Sequence, residues 1–105
     1  MNRFRETPQF IRWFDALDDE IARARIRSRL RQASLGGFGD CEPVGEGVSE
    51  MRIDYGPGYR IYYAREGKTV YVLLAGSDKD SQRRTIKTAK TLWKALKGNR
   101  HGSNG

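Results

Sequence analysis

Apolar residues recur along this chain with two different periods, and the change of period divides it into helices and strands. Phe10, Trp13, Phe14 and Leu17 fall at i, i+3, i+4 and i+7, the spacing of one helix face. Thr7 and Pro8 precede that face. A threonine hydroxyl accepts from the first free N–H groups of a helix, and proline's missing N–H costs nothing at the first helical position. Trp13 lies in register with its apolar neighbours, so it reads as core rather than as a base-stacking platform. Asp18, Asp19 and Glu20 then end the first helix and favour the start of a second through the helix dipole. Ala22, Ile26, Leu30 and Ala33 give that second helix a narrow apolar stripe, and Gly36-Gly37 stops it.

Phe38 to Gly47, with its glycines and Pro43, reads as a loop. From Val48 the period becomes two. Met51, Ile53 and Tyr55 share one face, and Glu50, Arg52 and Asp54 the other. Gly56-Pro57-Gly58 supplies a turn, because proline fixes φ and glycine tolerates positive φ. On the return strand Tyr59, Ile61 and Tyr63 oppose Arg60 and Tyr62. Glu66-Gly67-Lys68 is a second turn, and Val70 to Ala75 is the most apolar strand, predicted to lie inside the sheet. The chain turns again at Gly76 to Lys79. A final helix starts near Asp80-Ser81, with Ile86, Ala89, Trp93 and Leu96 at heptad-like spacing. A short strand is also allowed at Asn2 to Glu6.

These elements predict an α+β fold in one domain over residues 1–97. Two N-terminal helices pack on an antiparallel sheet of three to four strands, and a C-terminal helix follows. The polar, glycine-rich residues 98–105 are expected to be disordered. With the helices on one face, the charged face of the sheet is expected to stay open.

Composition narrows the chemistry. A chain of 105 residues has no room for a second core. The single cysteine, Cys41, excludes an internal disulfide and a cysteine-based zinc site. No apolar run approaches the ~20 residues of a membrane span, and the N-terminus lacks a signal peptide's apolar core. A cytoplasmic location without membrane association is expected. The net charge of +7 suits an anionic partner, though charge alone does not choose among nucleic acid, acidic protein and membrane surface. Arg23, Arg27 and Arg31 form a ridge along the second helix, with Arg25 and Arg29 on its other flank. That ridge is either a solvated face or an electrostatic track for RNA or an acidic protein segment. Arg65, Arg83 and Arg84 are counted with it as candidate RNA contacts.

The usual catalytic constellations are missing. His101 is the sole histidine, which disfavours Ser-His, Cys-His and zinc mechanisms. No G-K-[ST] follows the glycines, so there is no P-loop. What remains is phosphate chemistry run by arginine, lysine, tyrosine and carboxylate. RNA carries its own nucleophile, the 2′-hydroxyl, so its cleavage needs a base, an acid and cations around the phosphate, without metal or other cofactor. Arg52 and Arg60 are the candidate phosphate clamp. Glu50 and Tyr62, on the same face, are candidates for proton transfer or orientation. Glu50 has a second reading as a cross-strand salt bridge to Arg52 or Arg60. Arg60, read as exposed, is expected to matter for activity far more than for stability.

Several segments in order carry a resemblance. F-I-R-W-F (residues 10–14), A-R-A-R-I-R-S-R-L (22–30) and G-D-C-E-P-V-G-E-G-V-S-E (39–50) come first. G-P-G-Y-R-I-Y-Y (56–63), L-L-A-G-S-D-K-D-S-Q (73–82) and I-K-T-A-K (86–90) follow. Together they resemble the RelE/HigB superfamily of type II toxins, and more narrowly its phage-derived addiction module killer group, over about residues 1 to 97. The resemblance implies a compact RelE-like fold and a ribosome-dependent mRNA endoribonuclease. It also implies a cognate antitoxin, usually a helix-turn-helix protein, through which alone operator DNA is bound. Arg52, Arg60 and Lys79 match the basic positions of RelE-like relatives. The chain departs from them in having Ile86 near the position of a final-helix tyrosine, G-S-D-K in place of G-G-D-K, and R-R-T-I where an acidic residue often precedes the isoleucine. Those departures keep two alternatives open: a ParE-like inhibitor of DNA gyrase that does no chemistry, and an inactive toxin that only binds its antitoxin.

Overall fold

The computed structural model describes the backbone through Asn104 and the side chains through Gly98. Its elements are β1 (Arg3–Glu6), α1 (Pro8–Asp15), α2 (Glu20–Ser34), β2 (Cys41–Gly45), β3 (Val48–Ile53), β4 (Tyr59–Arg65), β5 (Val70–Ser77) and α3 (Gln82–Asn104). The expectation of a disordered tail falls on side chains that lie outside the described residues. Both of these helix starts are capped, α1 by Thr7 as the sequence predicts and α2 by Asp19, one of the carboxylates expected to favour its start. Thr7 Oγ1 accepts from the Phe10 N–H at 3.2 Å, and Asp19 accepts from Ile21 and Ala22 at 2.9 and 3.1 Å.

The strands form one sheet in the order β1-β5-β4-β3-β2. The α+β class therefore stands, but the strand count of three to four is corrected to five and the sheet is mixed. β1 runs parallel to β5, and the other neighbours are antiparallel. β2 occupies the stretch read as a loop. It is an edge strand, where Pro43 is tolerated because one row of N–H groups has no ladder to join.

The sheet is covered on both faces, which corrects the expectation of an open one. Phe10, Ile26, Met51, Ile61 and Leu73 form a core beneath α1 and α2. Val48, Tyr62, Val72, Leu74 and Trp93 form another beneath α3. α3 lies over β5 and β4 and also buries Val48 and Glu50 of β3, so the part of its face left uncovered is the end where Arg52 and Arg60 sit. A bulge in β5 sets what α3 meets. Between the pairs Tyr62↔Ala75 and Tyr63↔Leu73 one residue is extra, so Leu74 and Ala75 both turn toward α3. The shift in parity carries Ser77 to the α3 face and turns Gly76 toward α1. There the Trp13 ring is seated so closely that a Cβ on Gly76 would lie 2.1 Å from it.

Candidate functional site

The exposed end of the α3 face holds the residues singled out from the sequence. In the β3–β4 ladder Arg52 sits directly opposite Arg60, and Glu50 opposite Tyr62. Two like charges facing each other across a ladder oppose sheet formation, so each arginine is held by its own carboxylates. Arg52 reaches Asp40 at 3.0 Å and Glu42 at 3.1 Å. Its hydrogen bonds hold the Asp40 carboxyl below the ordinary range and keep the guanidinium more firmly protonated still. Arg60 Nε lies 2.9 Å from Glu50 Oε1, but its N–H is poorly aligned with any acceptor. The contact is thus an ion pair more than a hydrogen bond.

Burial separates these residues into two groups. Glu50 and Tyr62 are 1% and 0% exposed, and Arg60's side chain is 14% exposed. Gln82, in the first turn of α3, donates to Glu50 Oε1 at 2.6 Å, and Tyr62 Oη and Ser77 Oγ are 3.0 Å apart. Burial pushes the Tyr62 phenol up, against a smaller opposing effect of the Ser77 contact. Arg60 is therefore no exposed arginine. Its removal would leave Glu50 buried without its cation, and this corrects the expectation that Arg60 contributes little to stability. Arg52, Arg60 and Lys79 all line one cleft of about 340 Å³, floored by the Gly56-Pro57-Gly58 turn, with Asp40 and Asp54 at its sides. Lys79 is exposed and packs its Cβ side against Gly58. The turn before it is fixed by Asp78, whose carboxylate accepts from the Ser81 N–H and hydroxyl, each at 2.9 Å.

The remaining candidates are scattered. Arg23 donates to the Leu17 carbonyl and lies 3.8 Å from Glu20, while Arg65 donates to the carbonyls of Gly67 and Lys68. Both brace backbone. Arg27 stacks over Phe14 and, with Arg31, borders a second cleft of about 340 Å³ lined by Phe4, Phe10 and Leu30 on the α1–α2 side. Arg83 and Arg84 are exposed on α3. Sequence reading missed Asp40, Glu42 and Gln82. Gln82 was within reach, because it lies one step earlier on the stripe of Ile86, Ala89, Trp93 and Leu96. Asp40 and Glu42 lie at and beside an edge strand that glycine and proline disguise. Among the described residues, no group of three or more His, Cys, Asp or Glu is placed to hold a metal ion. No helix among them is long and apolar enough to cross a membrane.

Fold and site together define a small α+β protein with a cationic cleft at the edge of a mixed sheet. Residues 12–95 match the family described as phage derived protein Gp49-like (DUF891), and the chain belongs to that family. An uncharacterised protein of Haemophilus influenzae is 37% identical over 94 residues, which cover 90% of this chain and 95% of the relative. Membership agrees, at the general level of a phage-derived, toxin-like addiction module family, with the resemblance seen in the sequence.

Proposed function

We propose that this chain is the toxin of a type II toxin–antitoxin pair and that it cleaves mRNA on the ribosome through the Arg52–Arg60–Lys79 cleft. The observation that carries the reading is the convergence of three cations from β3, β4 and the turn before α3 on one open cleft. A phosphodiester entering it would compete with Asp40 and Glu42 for Arg52, exchanging one anionic partner for another. In the step itself the 2′-oxygen bonds to phosphorus and the bond to the 5′-oxygen breaks. Exposed Asp54 lines the cleft and is the carboxylate placed to take the 2′-proton. The 5′-oxygen is protonated from solvent. Arg52, Arg60 and Lys79 stabilise the charge that grows on the phosphate, each worth on the order of 10²–10³ in rate if it acts like other preorganised charge stabilisers.

The buried pair Glu50 and Tyr62 orients this apparatus instead of transferring protons. Glu50 and Gln82 together fix Arg60, and Tyr62 with Ser77 fixes the ladder beneath it. A helix-turn-helix antitoxin is the expected partner, operator DNA being bound only through it, and the cytoplasm is the expected place of action.

The test is pulse-labelling after induced expression, comparing methionine with thymidine incorporation. Wild type should stop methionine incorporation first. Lys79→Ala and Arg52→Ala remove partly or fully exposed side chains, so they should restore labelling while the protein stays folded. Early loss of thymidine incorporation would overturn the reading in favour of gyrase inhibition. Full toxicity of both variants would take the chemistry out of this cleft.

A further inference from the structure

The thirteen acidic residues of this chain all precede Ser81, where thirteen Lys and Arg balance them. The seven remaining cations follow Ser81 with no acid among them, so the whole net charge of +7 resides on α3 and its end. The charge is also ordered. Arg83, Lys87, Lys90, Lys94 and Lys97 are spaced i, i+4, i+7, i+11 and i+14, which puts them on one flank of the helix. Four of the five are exposed, and Lys90 is half-buried. The neighbouring outward stripe carries Arg84, Thr88, Thr91 and Ala95, all exposed, with Arg84 its one cation among the described residues. One cation per turn repeats about every 5.4 Å, over roughly 21 Å of helix.

The ridge joins the cleft described above. Lys79 lines that cleft and also a neighbouring one of about 600 Å³ that it shares with Arg83. Further along, Lys90, Lys94 and Lys97 border a shallow cleft of about 270 Å³ over the β2–β3 turn. Two exposed acids lie near the ridge: Glu46, 3.9 Å from Lys90, and Asp80, which lines the cleft shared by Lys79 and Arg83. From this we infer that the Arg83–Lys97 flank of α3 is a second binding surface. It is a phosphate-backbone track that seats RNA beside the cleft and leads it toward Lys79. Its occupant is RNA if the proposed function holds, since the inference rests on that reading for the kind of nucleic acid.

A membrane surface fits less well. A helix lying in a bilayer interface needs an exposed apolar face. α3 instead buries Ala89 and Trp93 against the sheet, and none of the exposed large apolar residues among the described ones is on it.

The experiment is binding of a fully 2′-O-methylated RNA hairpin, which has no 2′-hydroxyl to attack, by purified protein across a salt series. Each phosphate contact contributes roughly 0.7–0.9 to the slope of log K against log salt. The triple variant Lys90→Gln/Lys94→Gln/Lys97→Gln should flatten that slope by roughly 2–3 and weaken binding at least tenfold at low salt. A companion adding Thr88→Lys, Thr91→Lys and Ala95→Lys restores net charge on the wrong flank and should not recover the affinity. Recovery would show that net charge alone binds, and would overturn the track. An unchanged slope in the triple variant, or tighter binding to vesicles of anionic lipid than to RNA, would also overturn it. Binding is read here without cleavage, so a protein that binds through the ridge but is harmless in cells would sink the proposed activity and leave the track standing.

Discussion

The two faces of the sheet are built on different principles. Beneath α1 and α2 the sheet presents rings. Phe38 lies 5.1 Å from Tyr71 and 5.7 Å from Tyr63, and Trp13 meets Tyr59 edge-on at 6.1 Å. Beneath α3 it presents alanines, short aliphatics and a buried polar group, Glu50 with Arg60 and Gln82, Tyr62 with Ser77. One face is specified by shape and tolerates little change of volume. The other is specified by charge and hydrogen bonding, and it runs out under open solvent where α3 stops covering it. The cationic cleft is that uncovered end. Positions that break a local rule of sheet building, such as Arg52 directly opposite Arg60, gather there.

The largest effect that would break this comparison is at Arg60. If the polar face is held by charge, Arg60→Ala should destabilise the fold by about 2–3 kcal/mol. That is slightly under the usual cost of orphaning a fully buried charge, because Arg60 is partly exposed. Glu50→Gln placed on top should recover a good part of the loss, since the stranded carboxylate is then neutral. Denaturant midpoints of the two variants give the answer. A midpoint for Arg60→Ala within about 0.5 kcal/mol of wild type, the range of an ordinary surface change, would mean the pair contributes nothing. Toxicity lost in Arg60→Ala is for the same reason ambiguous, which is why Lys79 and Arg52 are the cleaner probes of activity.

The ring face sets the next test. A methyl at Gly76 meets the Trp13 ring at 2.1 Å, and neither the strand nor a ring wedged between Phe10 and Tyr59 can yield cheaply. Gly76→Ala should cost about 2 kcal/mol through overpacking. Trimming the ring as well, in Gly76→Ala/Trp13→Leu, should cost less than the two changes summed. Additive losses would place the conflict elsewhere.

How far these two faces could be read in advance follows from the same contrast. Period-two alternation was enough to sort Met51, Ile53, Tyr59, Ile61 and Tyr63 from Glu50, Arg52, Arg60 and Tyr62, because register obeys alternation wherever one side is apolar. The cap at Thr7 and the acidic start of α2 were legible because they depend on neighbours in sequence. Burial of the charged side was not. It depends on where α3 lands, and that in turn depends on the β5 bulge at Leu74, which leaves no mark in an apolar run. The edge strands were hidden for another reason. β1 has four residues and β2 carries proline and glycine, so neither repeats a pattern long enough to declare itself. Asp40 enters the cleft only through β2, and it was lost with that strand.

The smallest effect concerns acid. Three carboxyls have folded-state values below their ordinary 3.8: Asp19 through the Tyr55 hydroxyl and then the α2 N–H groups, Asp40 through Arg52, and Asp78 through Ser81. A group whose value is lowered by folding binds its proton more weakly in the native state than in the unfolded one. Its stabilisation is therefore complete above the unfolded value and lost as pH falls through the folded one. Denaturant midpoints should hold steady near neutrality and then decline from about pH 5 downward. The decline should be gentle, because Asp19 and Asp40 are exposed and Asp78 is only half-buried, so all three are screened by solvent. Asp19 serves the ring side of the molecule and Asp40 the cleft, so the two can be separated. Asp19→Asn keeps a capping oxygen for Ile21 and Ala22 but has no charge to lose, so it should remove its share of the acid decline by giving up the corresponding small stabilisation near pH 7. Asp40→Asn should remove its own share and, in addition, leave Arg52 with Glu42 as its one carboxylate partner, so that the affinity of the cleft for RNA phosphate rises at neutral pH. A variant that flattens the acid limb without strengthening RNA binding would show that Asp40 does not compete with phosphate for Arg52.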